Sequence, residues 1–408
     1  MNMSDSVFMF ISTLLVWIMT PGVALFYGGM VKSKNVLNTA MHSFVPMAIV
    51  TVAWVIIGYS LAFSPGGNAF IGNLDFAALK QVGFTPNDEY SAAIPHSLFM
   101  MFQMTFAVLT VAILSGAVAE RMKFSAFVWF TAFWSILVYT PLAHWVWGVG
   151  GWLRELGALD FAGGTVVHIS SGVAGLIIAI MLGKRKDIDQ HAPHNLPLTI
   201  IGATLIWLGW FGFNVGSALT INPVAMTVFI NTAVAASTGI VGWLAVEWLT
   251  YKKTTVLGAM SGAIAGLVAI TPACGFVTMP SSLFIGLVSG GLCFYGLVFV
   301  KEKMGYDDAL GAFGLHGIGG TWGAVSTGLF ATVHVNEAGA DGLLYGGGAL
   351  LFKQLAAVGA TYLFVGIATF LIMKAIQLVM PIRADEEAEV RGMDLTYHGE
   401  QAYYEYES

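Results

Sequence analysis

The sequence contains little charge. Among its 408 residues, 10% are Asp, Glu, Lys or Arg and 57% are hydrophobic. A soluble domain carries roughly 25% charged residues, so this chain has too few polar side chains to cover a globular surface. The composition therefore excludes an ordinary soluble fold and predicts that lipid is the solvent for much of the chain.

Cysteines are scarce, and basic residues are missing from the start of the chain. The two cysteines, Cys274 and Cys293, lie in or beside apolar stretches, so no disulfide framework is expected. No basic stripe indicates nucleic-acid binding. No basic residue precedes the first apolar run, whereas a cleaved secretory signal begins with a positively charged region. We therefore expect this run to remain as a membrane span.

Long apolar runs recur along the chain. A helix needs about 20 apolar residues to cross the hydrocarbon core of a bilayer. By this rule the sequence predicts an all-α polytopic membrane protein with eleven transmembrane helices, near residues 6–28, 43–63, 96–118, 125–147, 163–182, 197–217, 225–249, 256–272, 281–300, 311–331 and 350–379. After Pro381 the composition turns abruptly polar. Residues 1–380 are therefore predicted to form the membrane domain, and residues 381–408 a cytoplasmic tail.

The loops between these runs differ in charge. One alternate set holds 11 of the 17 Lys and Arg residues, within 32–34, 121–123, 184–186, 252–253 and 301–303. The other set holds only Lys80 and Arg154, with Lys353 at the start of the last span. Because cytoplasmic loops are enriched in basic residues, the N-terminus is predicted to lie outside and the C-terminus inside.

Two histidines lie inside apolar runs in matching contexts. His168 and His316 each follow an aspartate by eight residues, Asp160 or Asp308, and a glycine by five. Their spans are the fifth and the tenth, so they cross the membrane in opposite directions, as in the inverted repeats of many transporters. The repeat would relate helices 1–5 to helices 6–10. Both aspartates fall where a helix begins, and N-capping is a sufficient explanation for them.

Both histidines are predicted to reach the middle of the membrane. Eight residues of helix rise about 12 Å, close to half of a ~30 Å hydrocarbon core. The neighbouring residues are small or apolar, so the natural polar partner of each imidazole is the other. A single buried histidine is better explained by a bond to a backbone carbonyl, but two at matched depth favour a pathway through the membrane.

Aromatic residues accompany the predicted pathway on its outer side. Phe102 and Phe106 lie one helical turn apart, Phe213 and Ser217 lie near the outer end of the sixth span, and Trp147 lies at the end of the fourth. An aromatic face attracts a small cation by about 0.5–2 kcal/mol. Tryptophan is also common at membrane interfaces, so composition alone assigns these rings no function.

Seven short runs are spread in one order over nearly the whole chain. They are PGVALFYGG (21–29), GAVAER (116–121), AHWVWG (143–148), DFAGGTVVH (160–168), WFGFN (210–214), TPACG (271–275) and FGLHG (313–317). Together they resemble the Amt/Mep/Rh ammonium transporter family, and more narrowly its bacterial Amt members. The resemblance implies a multi-pass protein of the cell membrane that conducts ammonium or ammonia, without a metal or cofactor and without enzymatic activity.

The resemblance also implies roles for particular residues. His168 and His316 match the paired pore histidines of the family, and Phe106 and Phe213 match the rings that close the outer pore, with Phe102 in the same wall. The outer ammonium site corresponds to Trp147, Phe106 and Ser217, supported by Asp160. A homotrimer of eleven-helix protomers is expected. The tail resembles a gate-coupling element of the family and a possible docking site for PII-class nitrogen regulators.

Three other functions fit parts of the sequence. An ammonium sensor with little transport is the main alternative, although such family members usually carry an appended signalling domain, and none is visible here. A proton-coupled metal transporter would also use histidines, but no acidic or thiol ligands cluster with His168 and His316. An intramembrane enzyme would need a nucleophile–base pair or a zinc spacing such as His-Glu-x-x-His, which is absent.

Overall fold

Long apolar helices make up most of the structure, a computed structural model that describes residues 1–186 and 193–403. In chain order they are α1 (Met3–Met30), α2 (Ser33–Phe63), α3 (His96–Val118), α4 (124–147), α5 (Gly164–Leu182), α6 (Leu196–Gly216), α7 (Pro223–Tyr251), α8 (Val256–Ile270), α9 (Met279–Met304), α10 (313–330) and α11 (Gly348–Val379). The short helices α12 (Glu386–Arg391) and α13 (Met393–His398) follow. A small antiparallel hairpin, β1 (Pro86–Asn87) and β2 (Ser91–Pro95), lies in the loop between α2 and α3.

The all-helical class predicted from the sequence is confirmed. In the described ranges, nine helices are long and apolar enough to cross a membrane. The predicted spans near 256–272 and 311–331 correspond to α8, which has 15 residues, and to α10, which joins a 5-residue π-helical turn to a 13-residue helix. The count of eleven spans, the inverted repeat and the orientation stay predictions.

Helix α2 begins ten residues before the predicted span at 43–63. Its first turns carry polar side chains that the structure buries, among them Asn38 and His42. The backbone N–H groups of Leu37 and Asn38 donate to the Asp394 carboxylate at 3.0 and 2.7 Å, which caps the start of the helix. Hydropathy misses this segment because it counts polar side chains as unfavourable in a span, whereas here the chain buries them and caps the helix with Asp394.

The two predicted histidine helices pack against each other. Helix α1 packs along α6, and α5 packs against α10. At the crossing of α5 and α10, a Cβ on Gly172 would lie 2.2 Å from the backbone nitrogen of Gly317. Only glycine allows the two backbones to approach this closely, as is common between membrane helices. The approach brings the two histidine-bearing segments side by side.

The segment after Pro381 packs on one end of the helix bundle. Lys123 N donates to Ile382 O at 3.0 Å, Ala384 N donates to Arg121 O at 2.7 Å, and Met393 N donates to the Asn35 side chain at 2.9 Å. We call this end the tail-side face. It carries the basic loops at 32–34, 121–123 and 184–186, whose lysines contact the tail.

Candidate functional site

A cavity of about 250 Å³ opens at the end of the bundle opposite the tail-side face, and we call it the vestibule. Its wall comes from the start of α3, the ends of α4 and α6 and the loop between α2 and α3. Phe102, Phe106, Trp147 and Ser217 all line it. The structure thus brings together four of the residues that the sequence predicted, although they are far apart along the chain.

Closely packed rings form the floor of the vestibule. The rings of Phe106 and Phe213 stack with their centroids 4.0 Å apart and an angle of 13° between their planes. Phe102 meets Phe106 edge-on at 4.9 Å, and Trp147 does so at 6.0 Å. The three phenylalanines are almost completely buried. The stacked pair therefore separates the vestibule from the interior of the bundle.

Hydrogen bonds fix the polar groups around these rings. The indole N–H of Trp147 donates to the backbone carbonyl of Asp160 at 2.9 Å, and Arg154 donates to the carbonyl of Trp147 at 2.8 Å. The Ser217 hydroxyl donates to the Phe213 carbonyl at 2.8 Å. A hydroxyl oxygen has two acceptor lone pairs, so Ser217 can still accept a hydrogen bond from a cation in the vestibule.

The Asp160 side chain does not line the vestibule. Its Oδ1 accepts from the backbone N–H groups of Gly163 and Gly164 at 2.8 and 2.6 Å, and its Oδ2 accepts from Thr165 N at 2.7 Å and from the Thr165 hydroxyl. The carboxylate therefore caps α5, and its negative charge interacts favourably with the positive end of the helix dipole. Asp160 reaches the vestibule through its backbone carbonyl, which holds Trp147.

Asp308 does the same at the start of α10. Its carboxylate accepts from Ala312 N at 2.9 Å and from Phe313 N at 2.8 Å. In both segments a glycine follows at the third position with positive φ, 113° at Gly163 and 81° at Gly311, a conformation that other residues rarely adopt. A π-helical turn then leads to each histidine. The matched spacing in the sequence thus corresponds to matched local structure.

We expect Asp160→Asn to lower the free energy of unfolding by about 1–2 kcal/mol, because the amide nitrogen cannot accept the bonds now made by Oδ2. Thermal unfolding of the purified protein in detergent measures the change. Asp88→Asn, at an exposed position in the loop before α3, is the matched control and should leave the melting temperature unchanged. Equal melting temperatures for the two variants would contradict the capping role.

The two histidines meet beneath the stacked phenylalanines. Nδ1 of His168 lies 3.2 Å from Nδ1 of His316, within hydrogen-bonding distance, and both residues are buried. The His168 ring lies 6.0 Å from Phe213 and 5.2 Å from Trp210, with 29° between the planes in each case. An unbroken series of ring contacts therefore runs from the vestibule to His316, and we call it the ring column.

Beyond His316 the interior is narrow and mostly apolar. A space of only about 20 Å³ lies there, lined by the rings of His316, Phe26, Tyr27 and Trp210 and by unbranched or aliphatic apolar side chains. This is roughly the volume that one small molecule needs. In residues 1–186 and 193–403, no three His, Cys, Asp or Glu side chains lie close enough together to hold a metal ion.

Two residues of this region had no role in the sequence prediction. Trp210 stacks on His168, and its indole N–H donates to the Thr271 hydroxyl at 2.9 Å. Gln103 lines the vestibule, and within the described ranges its buried Oε1 has no hydrogen-bond partner. Trp210 lies three residues before Phe213, so helical spacing could have indicated that both rings share a face.

The sequence model of the Ammonium Transporter Family matches residues 7–403 of the chain. The ammonium transporter of Bacillus subtilis (strain 168) is 66% identical over 403 residues, which cover 99% of each chain. Among solved structures, Candida albicans Mep2 superposes with a TM-score of 0.89 at 35% identity, covering 95% of this chain and 87% of that one. A protein described as a sensor Amt protein gives a TM-score of 0.89 at 29% identity, covering 97% of this chain and 98% of that one.

Proposed function

Because the chain belongs to the ammonium transporter family, we propose that it takes up ammonium at the vestibule and conducts ammonia along the ring column. The observation that carries this proposal is the series of contacts from Trp147 through Phe106, Phe213 and His168 to His316. Relatives that are themselves ammonium transporters support ammonium as the substrate.

The vestibule suits a small cation that can donate hydrogen bonds. The face of the Trp147 ring attracts positive charge, by about 0.5–2 kcal/mol. The Ser217 oxygen can accept one N–H of ammonium, and the free Oε1 of Gln103 can accept another. In this scheme Asp160 acts indirectly, because its carbonyl orients the Trp147 indole.

The low polarity of the column decides which species passes. Moving a small cation intact into a medium of low dielectric costs about 20 kcal/mol in the Born limit. Removing a proton from an amine at pH 7 costs about 4.6 kcal/mol, if the amine has a pKa near the 10.4 of lysine. Deprotonation at the stacked phenylalanines is therefore the cheaper route. Potassium has no proton to lose, so the same column excludes it.

The histidine pair supplies polar partners to ammonia inside this apolar column. A neutral imidazole has one donor and one acceptor nitrogen, so the bonded pair can present both functions to a neutral solute. Because both Nδ1 atoms face each other, one of them must donate and the other accept. We propose that His168 and His316 act as one hydrogen-bonded unit.

Reconstitution of the purified protein into liposomes tests the proposal. An ammonium gradient should drive uptake that empty liposomes lack, and an equal potassium gradient should not. A current that accompanies uptake would show that the proton crosses the membrane as well. Uptake without a current would show that the proton is released and returned on the side from which ammonium enters. Equal permeability to potassium and ammonium would refute the proposed selectivity.

The alternative function is an ammonium sensor, which is suggested by the similarity to the sensor Amt protein. Uptake and ammonium binding, measured on the same sample, distinguish the two functions. A sensor would bind ammonium at the vestibule and conduct little of it. Binding without flux, measured by isothermal titration on the sample used for uptake, would favour the sensor. Flux that saturates with ammonium would favour the transporter.

We expect Phe213→Ala to lower the ratio of ammonium to potassium flux by about tenfold, as a barrier difference of 1.4 kcal/mol produces. Loss of the stacked ring would let water enter the column, and this water would lower the free-energy cost of moving a potassium ion into it. Phe130→Ala removes another fully buried ring that is outside the column. Both changes should destabilise the protein by about 3–5 kcal/mol, but only Phe213→Ala should change the flux ratio.

We propose that the vestibule faces outward and the tail-side face inward, because the basic loops lie on the latter. The protein would then be a multi-pass protein of the cell membrane, with eleven spans in two inverted halves, residues 1–380 as its membrane domain and a cytoplasmic tail. By analogy with the family we further propose a homotrimer, and a docking site for PII-class regulators on the tail-side face. Crosslinking in native membranes tests the trimer, and pull-down with a PII-class protein tests the docking site.

A further inference from the structure

A polar cavity of about 410 Å³ lies on the tail-side face, away from the ring column. Three separate chain segments form its wall: the first turn of α2, the tail helices α12 and α13, and the residues that follow them. The polar lining residues are Ser33, Lys34, Arg391, Asp394, Gln401 and Tyr403. A volume of this size is typical of sites that bind small molecules, which range over roughly 300–1,000 Å³.

The tail is held in place around this cavity by specific bonds. Lys34 Nζ donates to the Val390 carbonyl, and Met393 N donates to Asn35 at 2.9 Å. At the far end, the Tyr403 hydroxyl lies 2.9 Å from Nε2 of His194. The cavity is therefore a gap between fixed walls, bridged by contacts on both sides.

The charges on the wall favour an anion. Lys34 and Arg391 contribute two cationic groups, and Ser33 and Gln401 contribute neutral donors. The carboxylate on the wall, that of Asp394, already accepts from the backbone N–H groups of Leu37 and Asn38. Its negative charge is thus directed at the start of α2. The lining carries one more positive than negative charge.

We propose that this cavity binds a small phosphoryl anion, through Arg391 and Lys34. A guanidinium presents paired N–H donors that match two phosphate oxygens, and an ammonium adds a point charge beside them. Because Lys34 belongs to the helix bundle and Arg391 to the tail, the anion would join the two and stabilise the docked tail. The phosphoryl group belongs to a soluble metabolite or to a lipid headgroup, and these two sources share the same chemistry.

Binding of pyrophosphate to the full-length protein in a neutral detergent tests the proposal by isothermal titration. Arg391→Gln is expected to weaken binding by about tenfold or more, as loss of a hydrogen bond between charged groups predicts. Arg391→Lys keeps the charge and should weaken it less. Lys303→Gln removes one exposed positive charge elsewhere on the same face and should leave the affinity within twofold. No binding of pyrophosphate, or equal weakening by Arg391→Gln and Lys303→Gln, would overturn the soluble-anion form of the proposal.

A second measurement separates the two sources. Nanodiscs of phosphatidylcholine and of phosphatidylglycerol are compared, with the melting temperature as the readout. Stabilisation by pyrophosphate in phosphatidylcholine, lost in Arg391→Gln, supports a soluble anion. Stabilisation by phosphatidylglycerol alone, again lost in Arg391→Gln, supports a lipid headgroup. If neither occurs, or if Arg391→Gln responds as the unmodified protein does, the cavity does not bind phosphoryl groups. These readouts do not depend on ammonium flux.

Discussion

Leucine in place of His168 or His316 is expected to reduce ammonium flux into liposomes by roughly 5- to 150-fold, because an unpaired polar group in an apolar interior costs about 1–3 kcal/mol. Each imidazole has the other as its side-chain partner, at 3.2 Å between the Nδ1 atoms. Leucine has nearly the shape of the ring but neither donates nor accepts. The remaining histidine would face the column without its partner, and ammonia would lose one of its polar contacts.

The variants also test whether the pair acts as one unit. If it does, the double variant His168→Leu with His316→Leu should be little worse than either single variant, since residues that act together are strongly non-additive. His334→Leu, at an exposed position between α10 and α11, is the control and should leave flux unchanged. Unchanged ammonium flux and unchanged potassium exclusion in both single variants would refute the role of the histidines.

The second large effect is expected for Asp307→Asn, which should lower the free energy of unfolding by about 3–5 kcal/mol, the cost of breaking a buried ion pair. The Asp307 carboxylate lies 3.0 Å from Arg121 Nη1 and 2.8 Å from Arg185 Nε. The side chains of Arg121 and Asp307 are fully buried, and that of Arg185 is nearly so. Without the carboxylate, two guanidinium groups would share a dry interior on the tail-side face with less negative charge.

The effect should depend on pH in a defined direction. Burial alone would raise the pKa of Asp307, but the hydrogen bonds and charge of Arg185 and the charge of Arg121 lower it from 3.8 to about 2. The carboxylate therefore stabilises the fold above its ordinary pKa, and this contribution is lost as the pH falls from about 4 towards 2. Melting temperatures of the protein and of Asp307→Asn should differ most at neutral pH and converge in acid.

Glu302→Gln provides the control for this prediction, because Glu302 is exposed on the same face and near in sequence. It should melt at the temperature of the unmodified protein throughout. A gap between Asp307→Asn and the unmodified protein that widens in acid would contradict the assignment. Equal stability of Asp307→Asn and Glu302→Gln at pH 7 would also contradict it.

Much of the candidate site could be predicted because its signals are local. The spacing from Asp160 to His168 equals that from Asp308 to His316, and the structure joins the two imidazoles. Helical periodicity placed Phe102 and Phe106 on one face, and they line the vestibule together. Positions at the outer ends of their spans indicated Phe213, Trp147 and Ser217, to which the resemblance gave roles, and the chain brings them to the same cavity or its floor.

Other parts could not be predicted, because they depend on which elements meet. The position of Asp160 indicated that it could cap a helix, as its carboxylate does for α5, but only the structure shows that its backbone carbonyl accepts a hydrogen bond from Trp147. The polar start of α2 is helical because Asp394, more than 350 residues later, caps it. The unpaired oxygen of Gln103 has meaning only in the cavity that surrounds it.

The sequence by itself determined that the chain is suited to a lipid environment, where its apolar helices lie and which two segments carry matched histidines. Hydrophobicity and spacing are properties of neighbouring residues, so they can be read without the fold. The tertiary structure decided which rings stack, where each carboxylate is used and how the tail closes a cavity. Those outcomes depend on close packing between helices distant in the chain, where a displacement of one ångström makes or breaks a contact, and no local pattern specifies distances of that kind.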